Sequence, residues 1–356
     1  MAELAGPAAI ALGTPLPAQI LFLQWFEAVE ASIKMARLFT KRQNIICMQG
    51  ARVPRTHVRR YGYDEEQDDL FRRVPPTHAR RILNPLPILA PILRSPPPST
   101  PTPTLSSFSL AQLDLLLEQQ TAPSDTAAIL VEPVLGEGGY VPAPPEFLQG
   151  LRERCDKHGM MLIVDEVQSG VGRTGAWFAV EENGVRPDIM VIAKGLGNGF
   201  PISGVVSRRE LTDKLVPGSM GGTYASCAAA VAVNKVMCEE NILENVNTRS
   251  HEFFSALNAL KYDPFLKPHI LDVRGRGLMV GVEFASPSSS DDKSTQHPKN
   301  MAARVAKKCI EKGMLLLTTS VYEVGRFIPP LNVNKEDMKK GCAIFAESVR
   351  EVVKEG

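Results

Sequence analysis

The sequence predicts a doubly wound α/β sheet followed by a smaller α/β domain, and three observations carry that expectation. Continuous apolar runs of strand length, "MMLIVD" ending at Asp165 and "DIMVIAK" ending at Lys194, read as parallel strands covered on both faces. Stretches with helical spacing alternate with them. At 356 residues the chain exceeds one ordinary domain and can bury a large core.

Taken in order, residues 27–39, "EAVEASIKMARLF", place Val29, Ile33, Met35, Ala36 and Leu38 at near-helical spacing, and "NIICMQG" after them reads as a short buried strand. Residues 51–104 are rich in Arg up to Arg81 and then in Pro, and hold neither a period of 2 nor one of 3.6. Regular patterning resumes at Ser109. "SLAQLDLLLEQQ" is a capped helix, "AAILVEPV" a strand, and "PPEFLQGLRERCDKHG" a helix opened by Pro and closed by Gly159. From about residue 250 the tail holds "ILDVRGRGLMVGVEF", a helix through "MAARVAKKCIEKG", the strand "MLLLTT" and a last helix from about Lys335 to Val353. The expected organisation is a large domain over 27–250, interrupted by 52–105, and a small domain over 251–356.

Forty basic residues against 39 acidic ones leave a net charge of +1, a field that gathers neither nucleic acid nor a membrane surface. The expected partner is a small molecule. Six cysteines stand far apart without a CxxC pair, and six histidines are scattered, so neither a disulfide framework nor a metal site is indicated. A reducing, cytoplasmic setting fits that usage.

Asp165 and Lys194 each end an apolar run, 29 positions apart, about the length of one strand–helix–strand crossover. Ligands of parallel sheets bind off the carboxyl ends of strands, so both side chains are expected in one crevice. A desolvated lysine is a nucleophilic amine suited to Schiff-base formation, and a carboxylate is what a pyridinium nitrogen requires. Together they point to pyridoxal phosphate. Glycines 195, 197 and 199 let the chain bend closely behind the lysine.

Five motifs, "VEPVLGEGGY", "LIVDEVQSGVGRTGAWFA", "PDIMVIAKGLGNGFPISG", "GGTYAS" and "VRGRGLMVGVEF", stand in the order of the class III pyridoxal-phosphate aminotransferases, which the sequence resembles over residues 27–50 and about 110–356. The resemblance implies the type I fold of pyridoxal-phosphate enzymes and a homodimer with shared active sites. It implies that Lys194 forms the Schiff base and moves the proton, that Asp165 pairs with the pyridine nitrogen, and that Val167 packs on one ring face. Gln168 then reaches the phenolic oxygen, Thr223 binds the phosphate of the neighbouring subunit's cofactor, and Glu132 lines the pocket. Glu137 and Arg326 resemble a pair that gates the substrate carboxylate. The implied reaction is transfer of an amino group from an ω-amino acid, 4-aminobutyrate foremost, to 2-oxoglutarate. Ornithine- and acetylornithine-type activities are the alternatives, along with a truncated, non-catalytic remnant.

Two stretches depart from the family. Members begin about a hundred residues earlier and carry a Ser-Gly-Ser phosphate loop where this chain has "QILFLQWF" before the first helix. The genetic code permits a one-base-shifted reading of Gln19 to Phe26 as "RFFFCSGS", and one of residues 52–82 that begins "AFHGRTFGA". The hypothesis is that 1–26 and about 52–105 are out-of-frame translation; a transcript that supports the frame as given at Arg52 to Gln67 refutes it.

Overall fold

A computed structural model describes residues 18–22, 25–48, 105–213, 224–287, 297–319 and 322–356. Most of both stretches assigned to a frame error, 1–17 and 49–104, lies outside the described residues, as does Thr223. In chain order the elements used below are β1 (Ala18–Phe22), α1 (Trp25–Thr40), β2 (Asn44–Cys47), α2 (Leu105–Gln119), β3 (Thr126–Val131), β4 (Val134–Leu135), β5 (Val141–Pro142) and α3 (Pro145–His158). There follow β6 (Met161–Asp165), β7 (Ile189–Ile192), β8 (Ser203–Ser207), α4 (Tyr224–Glu239), α5 (Ile242–Tyr262), β9 (Ile270–Arg276), β10 (Met279–Phe284), α6 (Met301–Glu311), β11 (Leu317–Thr318), β12 (Val324–Phe327) and α7 (Lys335–Glu355). The chain divides into two compact units. Of the described residues, one takes in those before 134 and those within 143–171 and 178–235; the other combines those within 134–142, 172–177 and 236–356.

The first unit is built on a six-stranded sheet in the order β1-β8-β7-β6-β3-β2. β2, β3, β6 and β7 run parallel, and β8 and β1 are antiparallel to their neighbours. Every residue of β3, β7 and β8 is buried, as expected for strands covered on both faces. α1 supplies one cover: Val29, Ile33 and Ala36 recur on one face and join Ala128, Leu130, Val191 and Val205 in a single apolar cluster. α3 opens at proline and closes on Gly159, whose φ of +61° is the left-handed cap that glycine adopts without strain. α2 lies against α3 so closely that a Cβ at Gly150 would stand 2.3 Å from Leu110 Cδ1.

Two elements of this unit differ from the sequence-based expectation. α2 begins at Leu105, four residues ahead of Ser109, inside what reads as the end of the Pro-rich stretch. Ala18–Phe22, within the segment that lacks family motifs, forms the edge strand β1 beside β8, because its apolar run satisfies a strand whatever its ancestry.

The second unit carries an antiparallel sheet in the order β11-β12-β10-β9. β9 and β10 form a hairpin through "VRGRGLMVG", with Gly275 at φ +134°, where a Cβ would meet the Met279 carbonyl oxygen at 2.0 Å. Phe327 meets Phe253 and Phe345 edge to face, with centroids 5.1 and 4.8 Å apart, and ties β12 to α5 and α7. The expected strand over 314–319 shrinks to Leu317–Thr318, an edge strand paired on one side only, with Leu315 and Leu317 exposed. Among the described residues no helix is long and apolar enough to cross a membrane.

Candidate active site

In the first unit three neighbouring parallel strands end level with one another. Val131 lies opposite Val164 and Asp165 opposite Val191, so Asp165 ends β6 while Glu132 and Ala193–Lys194 follow directly on β3 and β7. This is where a parallel sheet presents side chains to a ligand.

Asp165 is only 8% exposed, and its Oδ1 accepts a hydrogen bond from Val167 N at 2.9 Å. Burial pushes its carboxyl above the usual range, while the Val167 N–H and the positive charge of Lys194 pull it back down. The amine and the carboxylate therefore act on each other in the same unit. Lys194 opens a short 3₁₀ turn with φ +46°, a left-handed conformation that is strained for a residue with a Cβ. The sequence predicts a desolvated amine; on the single chain Lys194 is instead exposed, because the turn carries it off the line of β7. The bend behind it needs glycine, since a Cβ at Gly197 would meet the Phe200 carbonyl oxygen at 2.5 Å.

Val167 is buried and Gln168 half-buried on the loop that follows Asp165. Glu166 between them, which the sequence reading passes over, is fully buried. Its carboxylate accepts hydrogen bonds from Ser169 Oγ and from Val180 N at 2.8 Å, fastening the loop to the chain around residue 180. Burial pushes this carboxyl up to about 7 against those bonds.

In the second unit Glu137 and Arg326 form an ion pair: Arg326 Nη1 donates to Glu137 Oε1 at 2.8 Å and to Gly136 O at 3.3 Å, and Nη2 donates to Thr318 O at 3.0 Å. The arginine side chain is 8% exposed, the glutamate 31%. Arg326 Nε is buried and has no acceptor among the described residues. The guanidinium carbon stands 5.5 Å from the centroid of the Tyr140 ring, itself buried, so a cation–π contact backs the pair. On β9, Arg274 pairs with Glu283 and Asp272 and donates from Nε to Gly139 O at 3.0 Å.

Glu132, Asp165, Val167, Gln168 and Lys194 thus belong to one unit and Glu137 and Arg326 to the other, while Thr223 lies outside the described residues. Tyr140 and Arg274 went unread in the sequence; "GEGGY" and "VRGRG" held them, but only the tertiary contact shows that the two motifs touch.

The donor set fits pyridoxal phosphate at its ring. A buried carboxylate held by a backbone N–H ends β6, and the amine whose charge acts on it stands in the turn that follows β7; these are the two groups that a protonated pyridine and an aldehyde require.

The comparisons agree with this chemistry. The family model described as Aminotransferase class-III matches residues 20–349. The 4-aminobutyrate aminotransferase GabT of Escherichia coli (strain K12) is 36% identical over 327 residues, 90% of this chain and 72% of that protein. The 5-aminovalerate aminotransferase DavT of Pseudomonas aeruginosa is 36% identical over 332 residues, 92% and 73% of the two chains. The crystal structure of an ornithine aminotransferase from Toxoplasma gondii ME49 superimposes with a TM-score of 0.74 at 26% identity, covering 99% of this chain and 77% of that one. The mainly parallel sheet has the type I fold of those enzymes. A chain with these motifs, this sheet and this family match belongs to the class III aminotransferases, enzymes that depend on pyridoxal 5'-phosphate.

Proposed function

We propose that this aminotransferase takes the amino group of an ω-amino acid, 4-aminobutyrate foremost, and delivers it to 2-oxoglutarate by a ping-pong sequence. The observation that carries the reading is the Glu137–Arg326 pair. An ω-amino acid has no carboxylate on its reacting carbon, whereas glutamate has one. A site that serves both needs a buried guanidinium neutralised by the protein's own carboxylate for the first substrate and by the substrate's for the second, because an unpaired buried charge is costly. Glu137, the more exposed partner, is the one that leaves; Arg326 then takes the α-carboxylate of glutamate through two parallel hydrogen bonds. Arg274 is a poorer choice, because Glu283 and Asp272 already compensate its charge. The relatives that act on 4-aminobutyrate and 5-aminovalerate support the same class of donor.

When bound, pyridoxal phosphate supplies an aldehyde for the amino group and a ring that accepts the electrons of the bond broken at the substrate carbon. Asp165 keeps a proton on the pyridine nitrogen, and its place at the buried end of β6 excludes water from that charge. Lys194 Nζ holds the cofactor and then carries the proton from and to the reacting carbon. Val167 backs the ring, Gln168 holds its phenolic oxygen, Glu132 lines the pocket and Thr223 contacts phosphate across a homodimer. Six free cysteines suit a cytoplasmic enzyme.

A panel of amino donors assayed with 2-oxoglutarate tests the proposal. The reading expects parallel double-reciprocal lines and the highest kcat/KM with 4-aminobutyrate; a preference for N-acetylornithine or ornithine of tenfold or more contradicts it.

A further inference from the structure

Arg274, Gly281 and Arg326 stand in one row across three strands: Gly281 on β10 lies opposite Arg274 on β9 and opposite Arg326 on β12. Residues directly opposed in an antiparallel ladder point to the same face, so two arginines flank a gap with no side chain. The segment 136–140 fills that gap. A Cβ at Gly281 would stand 2.8 Å from Gly139 O and 3.5 Å from Tyr140 Cβ. Arg274 Nε holds Gly139 O from one side, and Arg326 Nη1 holds Gly136 O from the other. Gly139 and Tyr140 both carry positive φ, +101° and +57°, and that turn delivers the Tyr140 ring under the Arg326 guanidinium.

We propose that Tyr140 is a positioning residue that keeps Arg326 in its carboxylate-binding place while Glu137 is displaced, with Arg274 and Gly281 fixing the backbone that carries it. The inference rests on the reading of Arg326 given above. When Glu137 departs, the guanidinium keeps Gly136 O, Thr318 O and the ring face, none of which has to move. Exchange of partners is then confined to one glutamate side chain, and the incoming carboxylate meets a guanidinium already in place. An aromatic face suits the task because it attracts the cation without offering an acceptor oxygen that competes with the substrate.

The test is calorimetric binding of glutarate, a dicarboxylate without an amino group, to the cofactor-loaded enzyme, together with single-turnover rates for the 4-aminobutyrate and glutamate half-reactions. Tyr140→Leu is expected to weaken glutarate and glutamate about tenfold, about 1.4 kcal/mol, and to leave the 4-aminobutyrate half-reaction within about twofold. Tyr140→Phe keeps the ring and should match the wild type. If Tyr140→Leu does not fold, Tyr140→Met, flexible and similar in volume, is read in its place. Unchanged glutarate affinity in the leucine or methionine enzyme, or an equal loss in both half-reactions, overturns the inference. Arg326→Lys is run beside them. A lysine enzyme that binds glutarate as the wild type does overturns the reading of Arg326 and this inference with it. A loss with Arg326→Lys but none with Tyr140→Leu overturns this inference alone.

Discussion

Glu137 Oε1 accepts a 2.8 Å hydrogen bond from Arg326 Nη1, and of the two side chains the carboxylate is the one that reaches solvent. Glu137→Gln removes the charge that neutralises Arg326 and leaves a guanidinium always open to a substrate carboxylate. The ratio of kcat/KM for glutamate to that for 4-aminobutyrate should rise about tenfold, about 1.4 kcal/mol in relative transition-state stabilisation. Steady-state kinetics of both half-reactions measure it, and an unchanged ratio removes Glu137 from the exchange.

Asp165 is buried, and in the proposed function its carboxylate compensates the charge of a protonated ring nitrogen, which an amide cannot do. Asp165→Asn should bind cofactor yet lower kcat about a hundredfold, a barrier increase of about 2.7 kcal/mol. A single-turnover assay followed through the cofactor's visible absorbance reads the loss. Activity within about threefold of wild type would mean that the carboxylate is structural.

Glu166 makes a pH prediction of definite sign. Its carboxyl titrates near 7 in the folded chain, above the ordinary 4.5, so the folded state holds a proton that the unfolded state has released. Its contribution to stability is complete below about pH 4.5 and is lost as the pH rises to about 7. At about 1.4 kcal/mol per pH unit, that change amounts to about 3 kcal/mol. Denaturant unfolding between pH 5 and 8 should therefore show a falling stability for the wild type and a flatter profile for Glu166→Gln. Parallel profiles for the two proteins would contradict it.

Much of the large sheet is legible in the sequence because parallel strands buried on both faces leave uninterrupted apolar runs, and β3, β6 and β7 do so around Ile129, Ile163 and Met190. α3 is legible at both ends because proline and Gly159 mark its limits chemically. Asp165 and Lys194 are legible for a related reason: a charged residue at the end of an apolar strand stands at the ligand edge by topology alone. α4, α5 and β12 leave no clear mark in the sequence. α4 is alanine-rich with a weak amphipathic pattern, and β12 is four residues interrupted by Gly325. Nor does any local pattern say that residues 136–140 lie on the β9–β10 hairpin; that contact spans 135 positions between Gly139 and Arg274. The exposure of Lys194 was hidden too, because it follows from the left-handed turn at that residue and not from the apolar run before it.

The central claim is that Lys194 carries the cofactor opposite Asp165. Reduction of the cofactor-loaded enzyme with borohydride, followed by digestion and peptide mass spectrometry, tests it most directly. The account predicts a pyridoxyl-phosphate adduct on the peptide containing Lys194 and none on a Lys194→Ala enzyme. An adduct on another lysine, with the Lys194 peptide unmodified, would contradict it.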